Sequence, residues 1–267
     1  MKFLIQKIKG KIVHDFSFTL LESIKFQNWL HRDNNIKVKF VEYHDTVEPI
    51  DIYPMPFKSL HEKYIPVGSV EFVSEFIHHF YGIHVMPINV PEELFDPCFT
   101  QRHIFNGNHL SLENCGGKYF VKSNDRIKYF SEIVECKDTG NHGTQYSTKI
   151  PIGNYQISDY ISCIESEWRA FVYQDKFVGL QNYAGDFTRF PSVDTIKSMI
   201  KTYKSAPVAY TLDVAVCDYA TIIIEAHDFF SCGLYGFANH GILPNMFYKW
   251  FWQYIQKEMV KQRHEKL

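Results

Sequence analysis

Apolar and polar positions divide the chain into stretches of period two and stretches of helical period. Residues 1–6 (MKFLIQ) read as a first strand. From Phe18 to His31, Leu21, Ile24 and Trp29 recur at helical spacing, and Lys37–Glu42 alternates as a strand does. Asp45–Pro56 carries three prolines and predicts a loop. In IPVGSVEFVSEFIHHFYG, residues Val70, Val73, Phe76, Ile77 and Phe80 mark a helix face; Ser69 is its N-cap and Gly82 its stop. Met86–Val90 is a strand candidate. This alternation predicts a small α/β lobe over residues 1–90.

Residues 91–267 read as a second domain. Glu92–Gln101 fits neither period. Gly116 and Gly117 precede a clear strand, Lys118–Lys122, and the loop SNDRIK leads into a strand over Tyr129–Glu135. The polar stretch KDTGNHGTQYSTK is expected to be a mobile connector. Tyr155–Ser162 alternates as a strand, and Glu167–Tyr173 pairs with Phe177–Tyr183 about Gln174–Lys176. Asp194–Tyr203 is an amphipathic helix. Pro244–His264 is a long terminal helix whose aromatic face packs against a sheet.

Between those helices lies the stretch with the most chemistry. Tyr210–Val216 and Thr221–Ala226 are strongly apolar and joined by the short link Cys217–Ala220, so they predict a hairpin. Folding about Tyr219 sets Asp213 almost opposite Glu225. His227 shares the face of Glu225, and Asp228 is adjacent. A carboxylate inside an apolar strand needs a partner or a metal, and paired carboxylates suit a hard cation such as Mg²⁺.

Composition narrows the function. The formal charge of -2 argues against a broad nucleic-acid surface. The six cysteines (98, 115, 136, 163, 217 and 232) have no close metal spacing and read as reduced thiols of a cytoplasmic protein. Lysines run through residues 1–13, so no signal peptide is expected. No apolar run approaches the ~18–20 residues of a membrane span. His78, His79, His103, His109 and His142 match no zinc spacing. Lys122 ends an apolar strand, Lys128 follows it, Arg169 lies two residues after Glu167, and Arg102 precedes a Gly/Asn-rich segment. Such cations can hold phosphate oxygens while the acids hold metal, the requirement of phosphoryl transfer from a nucleotide. The chain has no GxxxxGK[ST] loop and no HRD or DFG set.

The order of these elements, a strand ending in Lys122, then SDYI, EWRAFV, LDVAV and IIIEAHD, resembles an ATP-grasp domain over residues 102–236. In particular it is similar to a clade common in phages and their hosts, marked by one arginine and two lysines. The resemblance implies an α+β ATP-grasp fold, in which two α+β subdomains sandwich ATP, behind a small pre-ATP-grasp lobe. It implies that Lys122 contacts nucleotide phosphates and that Lys128 and Arg102 are the other basic residues of the clade. The hinge Gln156–Ile161, including Asp159 and Tyr160, would meet the adenine edge. Glu167 would lie near the ribose, and Arg169 would stabilise the transferred phosphoryl group. Asp213 and Glu225 would hold Mg²⁺. The next metal position, usually Asn, is His227 here, a softer ligand that suits Mn²⁺ or Zn²⁺ as readily; Asp228 is the alternative oxygen donor. The activity implied is ATP-dependent ligation of a carboxylate to an amine through an acyl phosphate. The substrates are an unidentified carboxylate and amine acceptor, peptide or protein among them, with no nucleic-acid or membrane partner. Two other readings stay open. One is a binding protein on a catalytically decayed ATP-grasp scaffold. The other is a metal-dependent nuclease, since Asp213 with Glu225-x-His227 partly matches an Asp…Glu-x-Lys site. Gly233–Gly236 (GLYG) either shapes the acceptor side or forms a turn.

Overall fold

A computed structural model describes residues 1–32, 35–44, 57, 63–113, 115–139 and 144–264. The loop expected over Asp45–Pro56 lies outside the described residues. In chain order the elements are β1 (Lys2–Lys7), α1 (Asp15–Leu30), β2 (Lys37–Glu42), β3 (Ile65–Val67), α2 (Val70–Tyr81) and a 3-10 turn at Glu92–Leu94. There follow α3 (Pro97–Thr100), β4 (Ile104–Asn108), β5 (Gly117–Ser123), β6 (Ser131–Asp138), β7 (Thr144–Tyr146) and β8 (Asn154–Asp159). The chain ends with β9 (Ile164–Tyr173), β10 (Lys176–Gly185), α4 (Val193–Thr202), β11 (Ala209–Cys217), β12 (Ala220–Asp228) and α5 (Leu243–His264).

Two compact units divide these elements. The first contains residues 1–85, 206–210 and 228–267. Its sheet has the order β2-β1-β3, with β1 parallel to both neighbours. Phe3, Leu4 and Ile5 of β1 are fully buried. Ser69 caps α2 by accepting from the Phe72 amide, and Gly82 ends it in the left-handed region at φ 66°. Helix α1 starts at Asp15, earlier than Phe18, because the Asp15 carboxylate accepts from the Phe16 amide and from Leu234 N. The aromatic face of α5 packs on α2 through Phe251 and Phe76 and on the segment after β12, where Trp250 stacks on Phe230. Asp228 belongs here: its Oδ1 accepts from Trp250 Nε1 at 2.7 Å.

The second unit, residues 86–205 and 211–227, holds two further sheets. One has the order β4-β8-β5-β6-β7 and the other β10-β9-β11-β12. The first closes over Leu112, Val121, Val134, Cys136, Tyr155 and Ile157. Met86–Val90 forms no strand; Asn89 makes a lone bridge to Ala226. The expected connector after β6 is strand up to Asp138 and again at Thr144–Tyr146, while residues 140–143 lie outside the described set. The β11–β12 hairpin forms about Asp218 and Tyr219, both at positive φ (48° and 67°), as the favoured two-residue hairpin turn requires.

The cysteine expectation is corrected at one pair. Cys163 and Cys217 are 54 residues apart in sequence, yet they form a disulfide across Cα atoms 5.1 Å apart. Spacing along the chain could not show it, since the connector after β8 and the end of β11 meet only in the fold. Cys98, Cys115, Cys136 and Cys232 are not disulfide-bonded.

Candidate functional site

Asp213 sits inside a strand buried along its whole length and is itself 2% exposed. Its charge is offset by Arg169 of β9: Nε donates to Oδ1 and an Nη donates to Oδ2, both at 2.7 Å. This fork is the bidentate geometry that a guanidinium matches best. On β12, Glu225 pairs with the Lys122 ammonium through one oxygen and with His227 Nε2 through the other. Asp213, Glu225 and His227 each offer a donor atom within 4.8 Å of the others. The hairpin therefore brings together three of the four metal-binding residues expected. Asp228 is instead engaged with Trp250. Oxygen atoms of a carboxylate keep spare lone pairs after each accepts one hydrogen bond, so two carboxylates and an imidazole fit a divalent cation.

The cations reach the cluster from two sheets. Lys122 of β5 pairs with Ser131 on one side and Gln156 on the other. Burial pushes its ammonium down to about 8, with Arg169 acting in the same sense and Asp213 opposing. Arg102 is drawn to backbone oxygens: it donates to Ile223 O at 2.8 Å and Thr100 O at 3.2 Å. Burial brings its guanidinium down to about 10, against the pull of Asp159. Lys128 is exposed in the turn between β5 and β6, at φ 56°. It makes no ion pair among the described residues.

The expected hinge divides in two. Gln156 lies in β8 between β4 and β5, and its side chain is committed to the Val90 backbone, donating to O at 2.9 Å and accepting from N at 3.0 Å. Asp159 ends the strand and accepts from the His103 amide at 3.0 Å. Tyr160 and Ile161 follow in the connector between β8 and β9, the first exposed and the second packed near Ala215 and Ile222.

Glu167 receives a 2.7 Å hydrogen bond from the Tyr183 hydroxyl, and the Tyr183 ring lies 5.7 Å from the Arg169 guanidinium carbon. Burial, joined by the charge of Asp213 and the bond to Glu167, holds the phenol well above its ordinary value, so it stays a donor. Sequence reading missed Tyr183. It falls where the β9–β10 register slips between Asn182 and Ala184, a bulge that re-aims a side chain and defeats simple alternation.

A family model described as an ATP-grasp domain, R2K clade family 2, matches residues 99–243. No curated protein matches the chain. Similar solved structures include the D-alanine–D-alanine ligase of Bacillus anthracis (11% identical, TM-score 0.48, 100% of both chains covered). Another is a RimK domain ATP-grasp protein of Sphaerobacter thermophilus (10% identical, TM-score 0.49, covering 96% of this chain and 100% of that one). A third is the N5-carboxyaminoimidazole synthetase of Staphylococcus aureus (11% identical, TM-score 0.49, covering 85% and 71%). Because the family match takes in more than half of the chain, the protein belongs to the ATP-grasp family, in its R2K clade family 2.

Proposed function

We propose that this protein is an ATP-dependent carboxylate–amine ligase, acting on a peptide or protein carboxylate or amine. The observation that carries the reading is the gathering of Asp213, Glu225 and His227 with Lys122 and Arg169 on strands of two sheets. In this reading the hinge end, Asp159, Tyr160 and Ile161, meets the adenine edge and Glu167 lies toward the ribose. Lys122, and Lys128 from its exposed turn, hold phosphate oxygens. Arg102 steadies the β12 backbone beside Glu225. Asp213 and Glu225, with His227, would hold Mg²⁺ or Mn²⁺, which supplies positive charge against the phosphates. A substrate carboxylate oxygen attacks the γ-phosphorus, and ADP leaves with the bridging electron pair. The amine then attacks the acyl carbon of the acyl phosphate, losing a proton as inorganic phosphate departs. The protein contributes position and charge rather than a nucleophile.

The test is incubation with ATP and Mg²⁺ against a library of amino acids and peptides, following ADP and identifying products by mass spectrometry. Substrate-dependent ADP release with an equal yield of amide is expected, and Glu225→Gln should lower it at least about a hundredfold. Nucleotide-dependent thermal stabilisation without ADP release would overturn the ligase reading in favour of a binding protein. Phosphodiester cleavage without ATP would overturn it in favour of a nuclease.

A further inference from the structure

The disulfide joins two segments that the ligase reading uses separately. Cys163 lies in the short connector between β8 and β9, two residues after Ile161, and Cys217 closes β11, four residues after Asp213. The connector is the chain's passage from the five-stranded sheet to the four-stranded one. Cys217 belongs to a small buried apolar cluster with Ala215 and Ile222, against which Cys163 packs beside Ile161, Ala220 and Ile224. Cys163 is half-buried and Cys217 is 5% exposed. The exposed Asp218 places a carboxylate oxygen within 4.8 Å of the sulfurs.

We propose that Cys163 and Cys217 form a reversible thiol–disulfide site, addressed by small thiols and disulfides of the glutathione class, that sets affinity for MgATP. The proposal rests on the nucleotide reading above. A glutathione thiolate attacks the more accessible Cys163 Sγ, the Sγ–Sγ bond breaks, and Cys217 leaves as a thiolate and takes a proton. A second glutathione thiolate attacks the mixed disulfide at the glutathione sulfur, releasing Cys163, which is protonated in turn. Two electrons pass from two glutathiones to the protein, and glutathione disulfide is the product. In the oxidised form the connector that meets the adenine edge is fixed to the strand that bears Asp213. The span from base to phosphates is then set before the nucleotide arrives. In the reduced form the connector must be ordered on binding, so affinity falls by about tenfold, the cost of ordering a residue or so of backbone.

The experiment uses the full chain equilibrated in glutathione buffers from reducing to oxidising. Redox state is read by differential alkylation and mass spectrometry, and affinity for Mg²⁺ with a non-hydrolysable ATP analogue by calorimetry. Support is a two-electron transition confined to Cys163 and Cys217 and about tenfold weaker binding once reduced. Cys163→Ser, a small change at a half-buried site, should bind with the reduced affinity in either buffer, and circular dichroism verifies its fold. Equal affinity in both redox states overturns this proposal alone. No binding in either state overturns it together with the nucleotide reading. A stoichiometric thiophilic metal on the pair, found by elemental analysis of the purified protein, overturns it in favour of a metal site.

Discussion

Asp213→Asn isolates the ion pair on which the site is built. The Arg169 and Asp213 side chains are 8% and 3% exposed and joined by two 2.7 Å hydrogen bonds. Asparagine keeps the shape but turns one acceptor oxygen into an NH₂ that faces the guanidinium. The remaining charge is buried and uncompensated, and loss of one partner from such a pair costs about 3–5 kcal/mol. At about 2–4 °C per kcal/mol for a domain of this size, the midpoint should drop by about 6–20 °C. Arg169→Met should do similar harm by orphaning the carboxylate. Combining Arg169→Met with Asp213→Leu leaves no orphan, and replacement of a buried pair by apolar groups is close to neutral. The double variant should therefore unfold above both the Arg169→Met and the Asp213→Leu single variants, with a coupling energy of at least about 2 kcal/mol. Scanning calorimetry on the wild type, Asp213→Asn, Arg169→Met, Asp213→Leu and the double variant, with circular dichroism to verify each fold, makes the measurement. If Asp213→Asn melted with the wild type, or if the double variant lost the sum of the single losses, the pair would not be the linchpin described.

Lys122 should give opposite pH effects on binding and on stability. With its ammonium at about 8 against an ordinary 10.5, MgATP affinity should fall as pH rises through about 8, and calorimetry on Lys122→Met should find weak binding without that limb. Over the same window the unfolded chain keeps a proton that the folded chain has lost, so this residue's contribution to stability rises from pH 8 to 10.5; urea titrations of wild type and Lys122→Met check the sign. Gly185→Ala should destabilise by at least about 2 kcal/mol in urea unfolding. The residue has φ +73°, and a Cβ there would stand 2.3 Å from the Glu165 carbonyl oxygen and 2.7 Å from Ser166 Cα, both backbone atoms.

The sequence made the secondary structure legible wherever one period held for a whole element. Ser69 and Gly82 bracket α2 as their chemistry demands, β2 runs Lys37–Glu42 as read, and the late hairpin turns at Tyr219 with its neighbour Asp218. Elements without strong periodicity escaped. The Gly/Asn-rich β4 and the three-residue β3 and β7 are strands because of their ladder partners, not their own pattern. At the site, Asp213, Glu225 and His227 were legible because a carboxylate in an apolar strand is conspicuous before any fold is known. The partner of Asp213 was not, because Arg169 reaches it only through the adjacency of β9 and β11. Tyr183 and the Cys163–Cys217 pair were hidden for the same kind of reason: a register slip and a long-range crossing leave no local signature.

Charge balance ties these observations to the ligase reading. Without ligands, the cluster already neutralises itself: Lys122 and Arg169 stand against Glu225 and Asp213. A divalent cation alone would add positive charge to a balanced site, and a triphosphate alone would add negative charge beside two carboxylates. Each is favoured only with the other, so metal and nucleotide should bind with positive coupling. The triphosphate brings more negative charge than one divalent cation brings positive, and the remainder falls to a cation not yet committed. Arg102 is occupied by the backbone oxygens of Thr100 and Ile223, whereas Lys128 is exposed at the turn that follows β5. In this reading Lys128, exposed and without an ion pair among the described residues, is the side chain assigned to that remaining phosphate charge.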